Sequence, residues 1–224
     1  MGWLEYLFPR FCLSCDSEGD FLCERCLKKI QLHGIFACPV CHKPTGFGVA
    51  CVSCRPHSSL DALISLAVYE EKKPIGRLVH GLKYQYIEWL AGLFPVFFER
   101  FLLDHKLILS ISDMVVPVPL HGRRFAERGF NQADLIALAL GKVAHLPISS
   151  ALSRIRYTRH QARLPKHERT DNVANAFVST LSASGKRCIL VDDVFTTGAT
   201  MQECAKVLKS TGALEVIGVV LARG

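Results

Sequence analysis

Asp192 and Asp193 stand side by side at the end of an apolar run, Cys188-Ile189-Leu190-Val191, and a hydroxyl-rich stretch follows, Thr196-Thr197-Gly198-Ala199-Thr200. Ionised carboxylates only accept hydrogen bonds, so a sugar diol is a natural partner for the pair. A loop that ends at a helix N-terminus offers backbone N–H groups and the positive end of the helix dipole, which together bind phosphate. Gly198 would let the backbone come close to the anion, and Thr196, Thr197 and Thr200 add hydroxyl donors. One phosphate and one diol held a loop apart outline a ribose 5-phosphate. The plainer alternative is a strand-turn-helix with a solvated acidic pair.

The elements that must position these groups are legible in pattern. Cys188 to Val191 reads as a buried strand, and Met201 to Ser210 as a helix stopped near Gly212. The carboxylates then lie at the C-terminal edge of a strand, where open α/β sheets bind ligands. Asp113 to Pro119 is a second strand, running into the basic loop Leu120-His121-Gly122-Arg123-Arg124, with a helix over Ala133 to Val143. Arg123, Arg124 and Arg128 are either a solvated helix face or a cradle for a diphosphate. Ala62 to Tyr69 reads as a strand and Pro74 to Tyr84 as a helix with proline near its start. Ile87 to Asp104 reads as a further helix, bent or broken at Pro95, with Trp89, Phe94, Phe97, Phe98 and Phe101 assigned to the core. Leu152 to Phe177 is a basic excursion poor in apolar residues, with Arg154, Arg156 and Tyr157 near its start, and Leu214 to Ala222 is a last strand.

Cysteine supplies a second chemistry. Four Cys-x-x-Cys pairs lie between Cys12 and Cys54: Cys12/Cys15, Cys23/Cys26, Cys38/Cys41 and Cys51/Cys54. Eight thiols in this spacing fit two tetrahedral Cys₄ zinc sites. A disulfide scaffold would need an oxidising compartment, and the N-terminus carries no export signal. Consecutive pairing makes two ribbons, and interleaved pairing remains open. His42 and His57 beside these pairs read as bystanders. Cys188 and Cys204 fall outside any pair and read as buried, inert thiols.

The chain has 224 residues, half of them hydrophobic, and a formal charge of +7. Between His121 and Arg169 there are ten basic residues against three acidic ones, so the surplus sits in that segment and favours a polyanionic ligand. Two zinc ions on eight thiolates would contribute about −4, which weakens any argument for DNA binding from net charge alone. No stretch is long and apolar enough to span a membrane, and the expected compartment is the cytoplasm.

The stretch Val191 to Thr200 resembles the 5-phosphoribosyl-1-diphosphate (PRPP) motif of type I phosphoribosyltransferases. The chain as a whole resembles the ComF-type competence protein family. The resemblance rests on FPRFCLSC with the paired cysteines, on LKY at Leu82 to Tyr84, and on PVPLHGRRFAERGFNQ at Pro117 to Gln132. It also rests on the spaced Arg154, Gln161, Leu164, Arg169, Asn172 and Phe177, and on VDDVFTTGAT. It implies an α/β type I phosphoribosyltransferase fold, a mostly parallel sheet flanked by helices, over residues 59–224. A double zinc ribbon is expected over residues 1–58, holding two structural Zn²⁺ through the eight cysteines.

Under this resemblance Mg²⁺ accompanies PRPP. Asp192 and Asp193 are the catalytic pair, and Thr196, Thr197, Gly198, Ala199 and Thr200 take the 5-phosphate. Arg123, Arg124, Arg128, Arg154 and Arg156 take the diphosphate. Many purine-salvage relatives carry an Asp where Thr196 stands, so purine salvage is disfavoured. The family also implies handling of incoming single-stranded DNA, with DNA-uptake proteins as partners. Two readings follow. In one, the protein transfers a phosphoribosyl group. In the other, it keeps the pocket as a sensor and binds single-stranded DNA or a protein of the uptake machinery.

Overall fold

A computed structural model describes residues 9–107, 109, 112–157 and 173–224. Gln161, Leu164, Arg169 and Asn172, and the basic residues Arg159, Arg163 and Lys166, lie outside the described residues. So does the segment 1–8 on which the absence of an export signal was read.

Five strands form the main sheet in the order β1-β2-β7-β6-β3, from β1 (Ile35–Phe36), β2 (Ala62–Val68), β3 (Met114–Pro117), β6 (Arg187–Phe195) and β7 (Glu215–Arg223). All neighbours run parallel except β1, which pairs antiparallel with β2 at the edge. A separate antiparallel pair, β4 (Leu152–Arg154) and β5 (Phe177–Ser179), closes the basic excursion.

Residue alternation along the central strands divides the interior into two layers. Ile189, Val191, Val219 and Leu221 pack on one face with Leu78, Leu82, Phe94, Phe98, Ile136 and Leu140. Leu190, Val216 and Val220 pack on the other with Met201, Cys204, Leu208, Leu152 and Phe177. Helices α2 (Pro74–Tyr84), α3 (Phe94–His105) and α5 (Gln132–Ala144) supply the first layer, and α6 (Ala199–Ser210) the second. Ile75, Leu78, Val79 and Leu82 recur at helical spacing on the buried side of α2, as do Phe94, Phe97, Phe98 and Phe101 on α3. Burying each phenylalanine contributes about 1.5–3 kcal/mol.

The segment after Ile87 breaks beside Pro95, one of the two expected outcomes, but its first piece is not an α-helix. Glu88–Leu93 is a 3₁₀ helix, and α3 begins at Phe94 with Pro95 in its first turn. The tighter 3₁₀ winding places Leu90 inside, 2% exposed, and turns Trp89 out of the core to 76% exposure. The Arg10 guanidinium covers the Trp89 ring at 5.3 Å.

The cysteine-rich segment does not stand apart. It contains a short helix, α1 (Glu24–Leu27), and the edge strand β1, and its Cys12, Leu22, Cys26, Ile30 and Leu32 belong to the same buried layer as α2 and α3. Among the described residues no helix is long and apolar enough to cross a membrane.

Candidate functional site

The acidic pair lies within β6, not after it. The strand expected to end at Val191 continues to Phe195, because β7 keeps pairing with it through Asp192↔Val220 and Phe195↔Arg223. On the other side β3 stops, with Pro117 opposite Val191. The carboxylates therefore sit on the length of β6 that β3 has left uncovered.

A cleft of about 330 Å³ opens there, lined by Asp192, Asp193, Thr196, Thr200, Arg124, Arg128, Arg154, Lys83, Tyr69, Asn131 and Gln132, with apolar residues between them. Asp193 is 5% exposed and pairs with Lys83 from α2, Nζ to Oδ1 at 2.8 Å. Burial works against the Lys83 ammonium, but Asp193 and Asp192 outweigh it, so its pKa stands above the ordinary lysine value. Asp192 accepts a hydrogen bond from the Asp193 backbone N–H at 2.9 Å. Burial, then the neighbouring Asp193 charge, push the Asp192 pKa up to about 7.

The basic wall is helical. His121 caps helix α4 (Gly122–Arg128) by accepting from the Arg123 N–H at 3.2 Å. Arg124 and Arg128 are four residues apart, so they share one face and line the cleft. Arg123 falls on another face and, with Arg124, covers the Tyr157 ring at 5.5 and 5.8 Å. Arg128 donates to Gln132 at 3.0 Å, and the Gln132 amide donates to the Leu82 carbonyl at 3.1 Å, beside Lys83. Asn131 caps α5 and donates to the Val118 carbonyl at 3.1 Å, holding the end of the β3 segment. Arg154 enters from β4; burial and the nearby Arg124 charge lower its pKa. Arg156 lies outside the cleft lining and donates to the Ala174 carbonyl.

In the hydroxyl loop only Thr196 and Thr200 line the cleft. The Thr197 hydroxyl accepts from the Ala199 N–H at 3.4 Å, and Ala199 opens α6. Gly198 has φ +77°, and a Cβ on it would drive into the Phe195 ring. Glycine is thus required by the fold itself, apart from any approach to an anion. Lys83, Tyr69, Asn131 and Gln132 had no assigned role in the sequence. Lys83 lay in the LKY word, and Asn131 and Gln132 in the GFNQ word, while nothing local marks Tyr69.

The cysteines gather consecutively, as Cys12/Cys15/Cys23/Cys26 and Cys38/Cys41/Cys51/Cys54, with the sulfurs of each group within 4.8 Å of one another. Tetrahedral zinc with Zn–S bonds of about 2.3 Å requires S···S distances of about 3.8 Å. Cys15 and Cys23 are 3.7 Å apart, and Cys41 and Cys51 are 3.8 Å apart. Within each group the thiol pKa values are pushed apart: the Ser17 contact brings the Cys15 pKa down to about 5 and the Ser53 contact that of Cys51 to about 6, while burial raises Cys26 to about 11 and the Cys51 contact raises Cys54 to about 12. Both groups fit zinc. Cys188 and Cys204 are buried, and burial raises both thiols.

A family model described as phosphoribosyl transferase domain matches residues 111–224. The chain is 32% identical over 200 residues to the DNA utilization protein YhgH of Salmonella typhi, covering 87% of each. It is 30% identical over 217 residues to Competence protein F of Haemophilus influenzae, covering 92% of this chain and 93% of that one. It is 30% identical over 211 residues to Competence protein ComFC of Bacillus subtilis, covering 90% and 82%.

Proposed function

The chain belongs to the ComF-type competence protein family, built on a phosphoribosyl transferase domain, and from that premise we propose that its cleft binds PRPP with Mg²⁺. The observation that carries the reading is the meeting of three unlike groups on one cleft: an acidic pair, a threonine loop at a helix start, and three arginines.

In this reading the loop from Thr196 to Thr200 takes the 5-phosphate through hydroxyls and the first amides of α6. Asp192 and Asp193 accept hydrogen bonds from the ribose diol. Arg124, Arg128 and Arg154 face the diphosphate. Two adjacent carboxylates with a phosphorylated substrate suit Mg²⁺, a hard cation bound through one or two carboxylates and substrate oxygens. Asp192 and Asp193 would hold it together with substrate oxygens, and it would supply positive charge against the phosphates. In phosphoribosyl transfer, the bond from ribose C1 to diphosphate breaks as a bond to the acceptor forms. Negative charge then grows on the leaving group, where the arginines are already placed.

Residues 1–58 would form the double zinc ribbon, holding two structural Zn²⁺, and 59–224 the phosphoribosyltransferase-like domain. The relatives are named as competence and DNA utilization proteins, and we extend these names to a role in handling imported single-stranded DNA, in the cytoplasm and alongside DNA-uptake proteins. A second reading, binding without catalysis, draws on the Lys83–Asp193 ion pair, which already occupies one of the two carboxylates.

Calorimetry tests the binding. Asp192→Asn with Asp193→Asn should weaken Mg-PRPP far more than metal-free ribose 5-phosphate. If the double variant binds Mg-PRPP as tightly as the wild type, the acidic pair is not a ribose site. Diphosphate release from Mg-PRPP in the presence of cell extract separates transfer from mere binding.

A further inference from the structure

Arg223, the last residue of β7, is 5% exposed. Its backbone pairs with Phe195 at the end of the sheet. Its side chain turns into the second cysteine group. Nη1 donates to the Ala37 carbonyl at 3.3 Å and Nη2 to the Cys38 carbonyl at 3.2 Å. Nη2 also donates to His42 Nδ1 at 2.7 Å. Arginine stays protonated, so His42 must accept, with its own proton on Nε2. His42 therefore serves Arg223 and is not needed as a zinc ligand.

The three acceptors all come from the turn that carries Cys38 and Cys41. That turn is closed by the Cys38 N–H to Lys43 carbonyl and His42 N–H to Cys38 carbonyl bonds, at 2.9 and 3.2 Å. A buried guanidinium is costly unless its donors are satisfied, so Arg223 depends on this turn keeping its shape. On its other side the guanidinium covers the Phe195 ring at 5.2 Å. Phe195 immediately precedes Thr196, and its ring fills the space that a side chain at Gly198 would need. A continuous path of contacts thus runs from the Cys38 turn through Arg223 and Phe195 to the Gly198 loop.

We propose that Arg223 is a positioning residue that couples zinc occupancy of the Cys38/Cys41/Cys51/Cys54 group to phosphate affinity at the Thr196–Thr200 loop. The proposal rests on the phosphate-binding reading of that loop. Zinc holds the Cys38 turn, the turn holds Arg223, and Arg223 with Phe195 sets the loop. Loss of the metal frees the turn and removes the acceptors that keep the guanidinium in place. Coupling between two binding sites is reciprocal, so ligand in the loop must tighten zinc at this group by the same factor. The first cysteine group packs instead on α2, where Leu13 meets Gly81. Its route toward the cleft runs through Lys83 and Asp193, at the acidic pair rather than at the Gly198 loop.

The test is equilibrium competition for zinc by a chromophoric chelator, on the full chain, with and without saturating metal-free ribose 5-phosphate. One of the two zinc equivalents should be held about five- to tenfold more tightly with the ligand, and the other unchanged. Cys41→Ser should lose the responsive equivalent and weaken ribose 5-phosphate by the same factor. Arg223→Met should keep a zinc-to-chain ratio near two while both zinc affinities become insensitive to the ligand. If calorimetry shows ribose 5-phosphate binding to the wild type while neither zinc responds, the coupling is overturned and the site reading stands. If Arg223→Met folds and keeps the linkage, Arg223 is not its carrier. If Arg223→Met does not fold, the wild-type and Cys41→Ser measurements decide. If ribose 5-phosphate does not bind at all, the coupling and the phosphate reading fall together.

Discussion

The Lys83 ammonium lies 2.8 Å from Asp193 Oδ1, joining α2 to the carboxylate at the open edge of β6. Asp193 has almost no contact with water, so its charge relies on this partner. Removing one member of a buried pair leaves an uncompensated charge, which typically costs about 3 kcal/mol or more. Lys83→Met should therefore lower stability by about that amount, while Lys83→Met with Asp193→Asn should recover much of it. Denaturant midpoints of the four chains in a double-mutant cycle measure the coupling. A coupling energy near zero would mean that the pair contributes nothing to holding α2 on the sheet.

Asp192 has its pKa raised to about 7 by burial and by Asp193. The unfolded value is about 3.9, so the folded protein binds an extra proton between these limits. The stability linked to this group is present in full below the unfolded value and is lost as pH rises through about 7. Asp192→Asn should remove that dependence and be more stable than the wild type at pH 8, by on the order of 1 kcal/mol, as is common when a strained site group is neutralised. Thermal unfolding of both chains from pH 5 to pH 8 checks the sign. A stability difference that does not change with pH would place the Asp192 pKa outside this range. Mg-PRPP affinity should run the opposite way and weaken below pH 7, because the diol needs an acceptor.

Gly198 combines a left-handed backbone, φ +77°, with direct contact to the Phe195 ring. Gly198→Ala should cost about 1–3 kcal/mol, typical of strain at a special backbone position. It should also weaken ribose 5-phosphate and Mg-PRPP alike. Gly198→Ala with Phe195→Leu relieves the clash but not the backbone strain, so only part of the stability should return. Full recovery in the double variant would show that the ring contact alone demands glycine.

Much of this site was readable from residue order, because strand, acidic pair, loop and helix are contiguous between Cys188 and Ser210. The cysteine groups were readable for the same reason, although nothing in their spacing decided between consecutive and interleaved pairing. What was hidden depends on contacts distant in sequence. Lys83 reaches Asp193 across 110 residues. Arg223 looks like the end of a plain apolar strand, and only folding brings it to Cys38. The error at Trp89 has a different source. A 3.6-residue period does not hold over Glu88–Leu93, which winds as a 3₁₀ helix, so Trp89 alone of the five expected core aromatics faces outward. The arginines divide by helix face, since α4 brings Arg124 and Arg128 to the cleft, while Arg123 reaches the Tyr157 ring that Arg124 also covers.

Single-stranded DNA binding is tested best at Tyr157, which is 41% exposed beside the cleft. Arg123 and Arg124 cover its ring, and His121 meets it edge-on at 5.3 Å. Aromatic and cationic groups contribute differently to such binding. Stacking on a base is worth about 1–3 kcal/mol and does not depend on salt, whereas each phosphate contact releases counterions. Tyr157→Ala should therefore weaken an unstructured oligonucleotide by about 1–3 kcal/mol and leave the slope of log affinity against log salt unchanged. Arg123→Ala should reduce that slope by about 1, uniformly across sequences. Arg123 does not line the cleft, so its loss should leave Mg-PRPP affinity within about twofold, a change of less than 0.5 kcal/mol. Fluorescence anisotropy over a range of salt concentrations separates the two effects. If both variants bind DNA as the wild type does, the contact surface lies elsewhere. The exposed Phe47 and Val52 of the second cysteine group, 66% and 88% exposed, are then the next residues to change. If the wild type binds no oligonucleotide even at low salt, the protein does not handle DNA by direct contact.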